Sequence, residues 1–119
     1  MNNLQFFNFE NQTVRTVEID SKPWFIASDV VKILGLSNTT VALSRLDDDE
    51  RAKLNLGRQG ETNLVNEFGL YELILASRKP TAKKFKRWVT SEVLPIFIKN
   101  KVAKKLINDL EELRRTQKS

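Results

Sequence analysis

The sequence contains neither cysteine nor histidine, and these two absences exclude most familiar enzyme chemistry. Without cysteine there is no disulfide framework and no thiol nucleophile, which fits a reducing cytosol. Without histidine, zinc sites built from Cys and His and Ser-His-Asp catalysis are excluded. General acid–base catalysis at neutral pH would need a carboxylate, lysine or tyrosine with a strongly shifted pKa. We therefore expect a protein that is not an enzyme, requires no cofactor and binds no metal.

Other scarcities narrow the class of protein. No run of roughly 18 apolar residues occurs, so no transmembrane helix is expected. The first four residues, MNNL, lack the basic and apolar regions of a secretory signal, so we expect a cytoplasmic protein. Hydrophobic residues form 40% of the 119 residues, which excludes collagen-like and wholly disordered chains. The length predicts one globular domain.

Positive charge is concentrated in one segment. The net charge is +5, from 20 basic and 15 acidic residues. Residues 78–105 hold ten basic residues and one acid, a net +9, whereas the other 91 residues carry ten basic and fourteen acidic residues, a net −4. A clustered basic patch is typical of a phosphate-binding surface. The alternative is a solvated helix face that serves solubility alone.

The first quarter of the chain predicts a small antiparallel sheet. Residues 4–9, 13–19 and 24–27 are rich in Phe, Val, Ile and Thr, which favour strands. The turn sequences Asn11-Gln12 and Asp20-Ser21-Lys22-Pro23 separate them. A further strand is expected at Asn63-Leu64-Val65. Because strands come first and helices follow, we expect an α+β fold with a small N-terminal antiparallel sheet and several packed helices.

Apolar spacing predicts five helices after the sheet. Ser28 is placed as the N-cap of the first helix, and Gly35 as its C-terminal stop. Asn66 caps the third helix, and Pro80 is the first residue of the fourth. Pro95 kinks the fourth helix or begins another helical piece. The helices are expected at about residues 29–34, 38–46, 67–77, 80–94 and 102–115.

The last helix is amphipathic, and Val102, Leu106, Leu110 and Leu113 are spaced 4, 4 and 3 along it. This spacing suits a short coiled-coil seam or packing on the protein's own domain. We expect homodimerisation through this helix. The tail from Thr116 to Ser119 is expected to fray.

The fourth helix separates its apolar side chains from its basic ones. At 100° per residue, Phe85 and Trp88 fall on one arc, and four cations fall on the opposite arc. Phe85 and Trp88 are expected to pack in the core; stacking on single-stranded nucleic acid is the alternative. The residues expected to contact phosphates are Arg78, Lys79, Lys83, Lys84, Lys86 and Arg87.

Residues 27–46 partly resemble a helix-turn-helix, with Gly35 in the turn. The match is incomplete, because Val31 stands where a small residue usually lets the helices approach and Ser44 where an apolar residue is expected. Asn and Arg suit base edges, whereas Ser and Thr suit phosphates. The alternative is two ordinary packed helices with a polar rim. The residues expected on or near a groove-facing helix are Asn38, Thr39, Thr40, Ser44 and Arg45.

The acidic run Asp47-Asp48-Asp49-Glu50 offers carboxylates to magnesium, but a solvated loop or helix start is the favoured interpretation. A magnesium nuclease is the enzymatic alternative, and it would show cleavage that EDTA abolishes.

Six short motifs occur together in a characteristic order. They are residues 14–17 (VRTV), 23–30 (PWFIASDV), 34–38 (LGLSN), 69–74 (GLYELI), 82–89 (AKKFKRWV) and 93–95 (VLP). In this order and spacing the chain resembles the N-terminal domain of the BRO family over about residues 5–100. That domain occurs in phage and prophage antirepressors and in proteins of large DNA viruses. The resemblance implies a DNA-binding α+β domain, usually followed by a different C-terminal domain.

Charge and resemblance together predict the organisation and function. Residues 1–100 are expected to be a BRO-N-like DNA-binding domain, and residues 101–119 an amphipathic helix or linker. The expected function is the DNA-binding module of an antirepressor-type transcriptional regulator in the bacterial host cytoplasm, with double-stranded DNA as partner. The alternative is an antirepressor that inactivates a phage repressor protein by direct contact and binds DNA little.

Overall fold

The computed structural model describes residues 4–116. The predicted fraying of the tail falls largely on residues 117–119, outside the described part. The strands are β1 (Leu4–Phe9), β2 (Gln12–Ile19), β3 (Lys22–Ile26), β4 (Arg51–Asn55) and β5 (Glu61–Val65). The α-helices are α1 (Ala27–Leu34), α2 (Thr39–Leu43), α3 (Glu67–Ala76), α4 (Thr81–Trp88) and α5 (Leu94–Thr116). Short 3₁₀ turns at Asp48–Glu50 and Gly57–Gln59 flank β4, and a π turn at Val89–Val93 joins α4 to α5.

The five strands form one antiparallel sheet in the order β1-β2-β3-β5-β4. The predicted N-terminal meander is confirmed, and β5 adds to it by pairing Val65 with Phe25. Strand β4 was not predicted, because its sequence RAKLN is poor in strand-favouring residues. The hydrogen-bonded pairing of β4 with β5 stabilises the strand conformation that the local sequence does not favour. The fold is α+β, as predicted.

The sheet has two unequal apolar faces. Phe9, Val14, Phe25 and Val65 join helical residues in the main core. On the opposite face, strand residues form a smaller cluster around Val17, Ile26 and Leu64. Val14 and Val17 lie in different clusters, because side chains alternate along a strand.

The first N-terminal hairpin turns one residue earlier than predicted, and the second turns at the first two of its four predicted turn residues. Their tips are Glu10-Asn11 and Asp20-Ser21, and all four residues have positive φ. Two successive left-handed residues are the signature of a type I′ turn, whose twist matches that of paired strands. Pro23 is therefore a residue of β3, where it pairs with Glu18, and not part of the turn.

The predicted start of α3 and the predicted end of α1 are confirmed, whereas the starts of α1 and α4 differ from the prediction. The Asn66 side chain caps α3 by accepting the Gly69 N–H at 2.9 Å, and Gly35 ends α1 in the left-handed conformation. The prediction for Ser28 is wrong, since Ile26 occupies the N-cap. Strand β3 runs into α1 without a loop, so Ser28 already lies in the first helical turn. Pro80 occupies the N-cap of α4, one position before the first helical residue.

Helix α5 begins at Leu94 and continues to Thr116, so the prediction of a separate helix starting near Val102 is wrong. Pro95 lies in its first turn, directly after the π turn, where the helical hydrogen-bond ladder is already widened. Every residue from 101 to 115 is exposed, so the interpretation that the apolar residues of this stretch pack on their own domain is also wrong. None of the helices within residues 4–116 combines the length and apolar character needed to cross a bilayer.

Candidate nucleic-acid interface

Helix α4 presents one apolar face and one basic face. Ala82 and Phe85 are buried on the inner side, and Val89 and Val93 of the π turn continue the buried row. Lys83, Lys84, Lys86 and Arg87, here called the basic face, are all exposed. The core therefore fixes the orientation of α4, because rotating the helix would expose Phe85.

Aromatic rings hold the C-terminal end of α4. The Trp88 ring centroid lies 5.2 Å from that of Phe9, 5.8 Å from that of Phe85 and 6.3 Å from that of Phe7. Phe85 is fully buried, so the predicted core role of this ring is confirmed and its alternative stacking role is wrong. Trp88 is half-buried and packs against the core.

The basic face lacks acidic partners among the residues that the structure describes. None of its four cations, and neither Arg78 nor Lys79, forms an ion pair within residues 4–116. Lys83, Lys84 and Arg87 also border a shallow groove of about 300 Å³ beside Trp88 and Glu92. A cation that is already paired with a carboxylate gains little from binding a phosphate. The cations of the basic face form no such pair within residues 4–116, so this surface is suited to binding a polyanion.

The loop before α4 is tied to the end of α1. The Ser77 hydroxyl donates to the Leu34 carbonyl at 2.7 Å. The aliphatic stem of Lys79 lies over Gly35, where an added Cβ would be 2.7 Å from the Lys79 Cδ and Cε atoms. The turn after α1 and the start of the basic segment, which lie far apart in the sequence, are therefore neighbours in the fold. Nothing in the spacing of the sequence signals this contact.

The helix-turn-helix interpretation loses support from the geometry of α2. The helix has five residues, about 7 Å of axis, and ends at Leu43 instead of Leu46. Arg51 donates to the Leu43 carbonyl at 2.9 Å, which satisfies one of the terminal carbonyls and stabilises this early end. The arrangement fits two packed helices with a polar rim better than a groove-facing recognition helix.

The polar residues predicted on that second helix occupy several environments. The Asn38 side chain caps α2 by accepting the Val41 N–H at 3.1 Å. Thr39 is half-buried, whereas Thr40 is exposed on the helix. Ser44 and Arg45 are exposed in the turn that follows α2. Only part of the predicted set is thus presented on one helical surface.

Sequence reasoning missed two cations because it did not predict β4. Arg51 and Lys53 border an open cavity of about 580 Å³ that Thr40 also lines. The Arg51 Nη2 atom lies 3.1 Å from the Asp48 carboxylate, whereas Lys53 is 3.9 Å from Glu61. Both cations are thus partly neutralised, unlike the basic face of α4.

The acidic run has a structural role. Asp47 and Glu50 form a reciprocal capping box around the turn Asp48–Glu50. The Asn66 amide donates to the Asp49 carbonyl at 2.9 Å, which joins this turn to the start of α3. Within residues 4–116, no three carboxylates are grouped as a metal ion would require.

A partly buried ion pair between Arg15 of β2 and Asp29 of α1 holds α1 on the sheet. The Asp29 carboxylate accepts from Arg15 Nε and Nη2, each at 2.9 Å, and from the Arg15 backbone N–H. The side-chain hydrogen bond with Asp29 raises the pKa of Arg15 above its ordinary value, although burial opposes the shift. Because this carboxylate already accepts several donors, Asp29 serves in packing α1.

These features define a small α+β domain in which a sheet and its core hold one cationic helix face toward solvent. Residues 13–95 match the profile of Bro-N, the BRO family N-terminal domain. The match covers most of the chain, and the chain belongs to this family.

Two relatives and one solved structure show the same likeness. An uncharacterized protein of Haemophilus influenzae is 39% identical over 102 residues, which cover 79% of this chain and 50% of that protein. The putative Bro-N domain-containing protein 289L of Invertebrate iridescent virus 6 is 30% identical over 114 residues, which cover 77% of this chain and 27% of that protein. The chain thus spans half or less of these curated relatives.

The fold is also similar to that of the N-terminal domain of Orf22, a Cydia pomonella granulovirus envelope protein. The TM-score is 0.59, and the match covers 81% of this chain and 99% of the other. Sequence identity is 16%, so this comparison supports the fold alone.

Proposed function

We propose that the chain is the DNA-binding module of an antirepressor-type transcriptional regulator of phage origin, which acts in the bacterial host cytoplasm by binding and without catalysis. The observation that carries the proposal is the basic face of α4, which is exposed, lacks acidic partners within residues 4–116 and is fixed by the core. Membership of the BRO family supports it, since BRO N-terminal domains are commonly DNA-binding.

The basic face would contact the phosphate backbone and position the domain on double-stranded DNA. Lys79 and Arg78 would extend this contact toward the turn after α1, because Lys79 packs on Gly35. Base recognition is assigned to the polar rim around α2, where Thr40 and Arg45 are exposed. Asn38 and Thr39 would act chiefly by shaping that rim.

A salt titration on duplex DNA tests the proposal. Each phosphate contact adds about −0.9 to the slope of log affinity against log salt. The double variant Lys83→Ala/Arg87→Ala should bind all duplexes more weakly and show a slope that is shallower by about 2. Fluorescence anisotropy at several salt concentrations measures both quantities.

The matched control removes two cations elsewhere. Lys22 and Arg58 are exposed near the tips of other hairpins, so Lys22→Ala/Arg58→Ala causes the same change in net charge. This control should leave the slope unchanged. Equal slope changes in both variants would mean that net charge, and not the basic face, governs binding. Arg45→Ala should instead reduce the preference for one sequence over another.

The second function, a protein-binding antirepressor, predicts a different pattern. Affinity for duplex DNA would be negligible even at low salt. A repressor protein would bind tightly, and this binding would survive Lys83→Ala/Arg87→Ala. That result would replace the DNA-binding proposal.

A further inference from the structure

The C-terminal half of α5 leaves the domain with a row of large apolar side chains uncovered. Val102 is 53% exposed, Leu106 57% and Leu110 61%, and Leu113 continues the row. Ile107, at 55%, lies on its shoulder. Single exposed apolar residues are ordinary, but a contiguous row of them marks an interaction surface. We call Val102, Leu106, Leu110 and Leu113 the α5 stripe.

The stripe faces away from the protein's own domain. Phe97 is buried against Phe7, and the Lys104 ammonium lies 2.7 Å from the Glu18 carboxylate, so these two residues mark the side of α5 that touches the domain. At 100° per residue, Phe97 and Lys104 lie about 180° and 160° around the helix from Leu106. The described domain therefore cannot cover the stripe while α5 remains helical, and the stripe is left open to a partner.

The charges along α5 favour one direction for a second α5 beside it. Four lysines lie at positions 99, 101, 104 and 105, and Asp109, Glu111 and Glu112 follow one turn later. Arg114 and Arg115 lie in the last turn of the helix, and Arg115 lies 3.8 Å from Glu112. A second α5 in the same direction would bring the two lysine-rich segments together, whereas one in the opposite direction places each lysine-rich segment beside an acidic turn.

The apolar spacing is compatible with the antiparallel direction. When the stripe is aligned with a reversed copy of itself, Val102 faces Leu113 and Leu106 faces Leu110. In this alignment Lys105 of one copy lies about one residue along the axis from Asp109 of the other copy. Lys105 and Asp109 lie on the same side of the stripe, and these sides adjoin in an antiparallel pair, so the two charges come close together. Symmetry produces this opposite-charge pair twice.

We propose that α5 pairs with α5 of a second copy of this chain, antiparallel, through the stripe. The pairing also explains how a 23-residue helix persists beyond the domain, since an isolated helix of that exposed length is marginal in water. Four apolar side chains per copy form a short seam, so a weak association is expected, with a dissociation constant on the order of micromolar. This inference does not depend on the proposed DNA binding.

Sedimentation equilibrium of the full chain tests the association. The protein should be dimeric at about 100 times the expected dissociation constant. Leu106→Glu should weaken self-association by at least about tenfold, because it places a charge in the stripe. Asn108→Glu adds the same charge on the opposite side of α5 and should change nothing. Tryptophan fluorescence should show an intact domain in both variants, since both positions are exposed and both tryptophans lie outside α5.

The direction of pairing is tested by disulfide formation in a glutathione buffer, for which the chain has no competing cysteine. Val102→Cys and Leu113→Cys should each fail to crosslink alone and should form a disulfide when mixed. A Val102→Cys protein that crosslinks to itself would overturn the antiparallel arrangement. A monomer at high concentration, or a Leu106→Glu protein that dimerises like the parent chain, would overturn the proposal altogether and leave the stripe for a different protein.

Discussion

Trp88 lies at the border between the hydrophobic core and the basic face of α4. Its ring contacts the rings of Phe7, Phe9 and Phe85, while its neighbour Arg87 is exposed. The same residue therefore anchors β1 to α4 and sets the direction of the basic face. A change at Trp88 should affect stability first and polyanion binding only through the loss of this anchor.

Trp88→Ala should lower the free energy of unfolding by about 3 kcal/mol, because it removes a large ring that packs on three phenylalanines. Urea unfolding followed by far-UV circular dichroism measures the change. Leu75→Ala serves as the control, since Leu75 is 79% exposed and its loss should cost little. A cost for Trp88→Ala as small as that control would contradict the anchoring role.

Tyr71 is the one tyrosine of the chain, which makes its titration directly visible. Burial raises the pKa of its phenol above the ordinary value, and the charge of Glu67 and a hydrogen bond with Glu67 raise it further. The folded state thus holds the phenolic proton more tightly than the unfolded state. The associated stability is complete below the unfolded pKa of about 10 and is lost as pH rises through the higher folded pKa.

An alkaline titration of tyrosinate absorbance should therefore have its midpoint above that of free tyrosine. Glu67→Gln should lower the midpoint without returning it fully, because burial of Tyr71 remains. Glu72→Gln removes a neighbouring exposed carboxylate and should leave the midpoint unchanged. Equal effects of the two substitutions would assign the shift to general negative charge.

The two N-terminal hairpins carry backbone strain at their tips. The hairpin tips place Asn11 and Ser21 at φ 66°, a conformation that costs a residue with a Cβ about 1–2 kcal/mol. Asparagine tolerates this conformation better than serine does. Ser21 is therefore the more strained of the two and offers a site for stabilisation.

Ser21→Gly should raise the free energy of unfolding by about 1 kcal/mol, because glycine adopts positive φ without the Cβ penalty. Chemical denaturation measures the gain. The same substitution at Ser28, in the first turn of α1, should instead destabilise by about 0.5–1 kcal/mol. Loss of stability at both positions would show that the turn strain is absent.

At the scale of the whole molecule, the basic segment of residues 78–105 divides into parts with different roles. The basic face of α4 lacks acidic partners within residues 4–116, whereas Lys104 of α5 pairs with Glu18 of β2. The other Glu18 oxygen, Oε1, is buried and has no hydrogen-bond partner within residues 4–116. The ion pair with Lys104 therefore offsets part of the free-energy cost of burying the Glu18 carboxylate. Lys104 thus fastens α5 to the domain and is not available to a phosphate.

Pairing through α5 would give one particle two basic faces. The described chain is 61 Å along its longest axis, and the exposed end of α5 contributes to that length. Two linked domains bind a polyanion more tightly than one when both can engage together. The Leu106→Glu variant should therefore also lower the apparent DNA affinity if both proposals hold, while leaving the salt slope per domain unchanged.

The sequence alone determined the fold class, the N-terminal meander, the Asn66 cap and the separation of basic and apolar faces on α4. These features depend on local propensity and on the periodicity of neighbouring residues, which the sequence displays directly. The order and spacing of the short motifs, which likewise need no coordinates, also led to the BRO family, and the profile match confirmed it.

Only the tertiary structure decided where β4 lies, where α2 ends and which way the α5 stripe faces. Strand β4 owes its conformation to pairing with β5, and α2 ends where Arg51 reaches the Leu43 carbonyl. The direction of the stripe is set by Phe97 and Lys104, whose contacts on β1 and β2 are about 90 residues away in the chain. Such contacts between distant residues leave no periodic signal in the sequence, because their energy comes from packing and pairing in space.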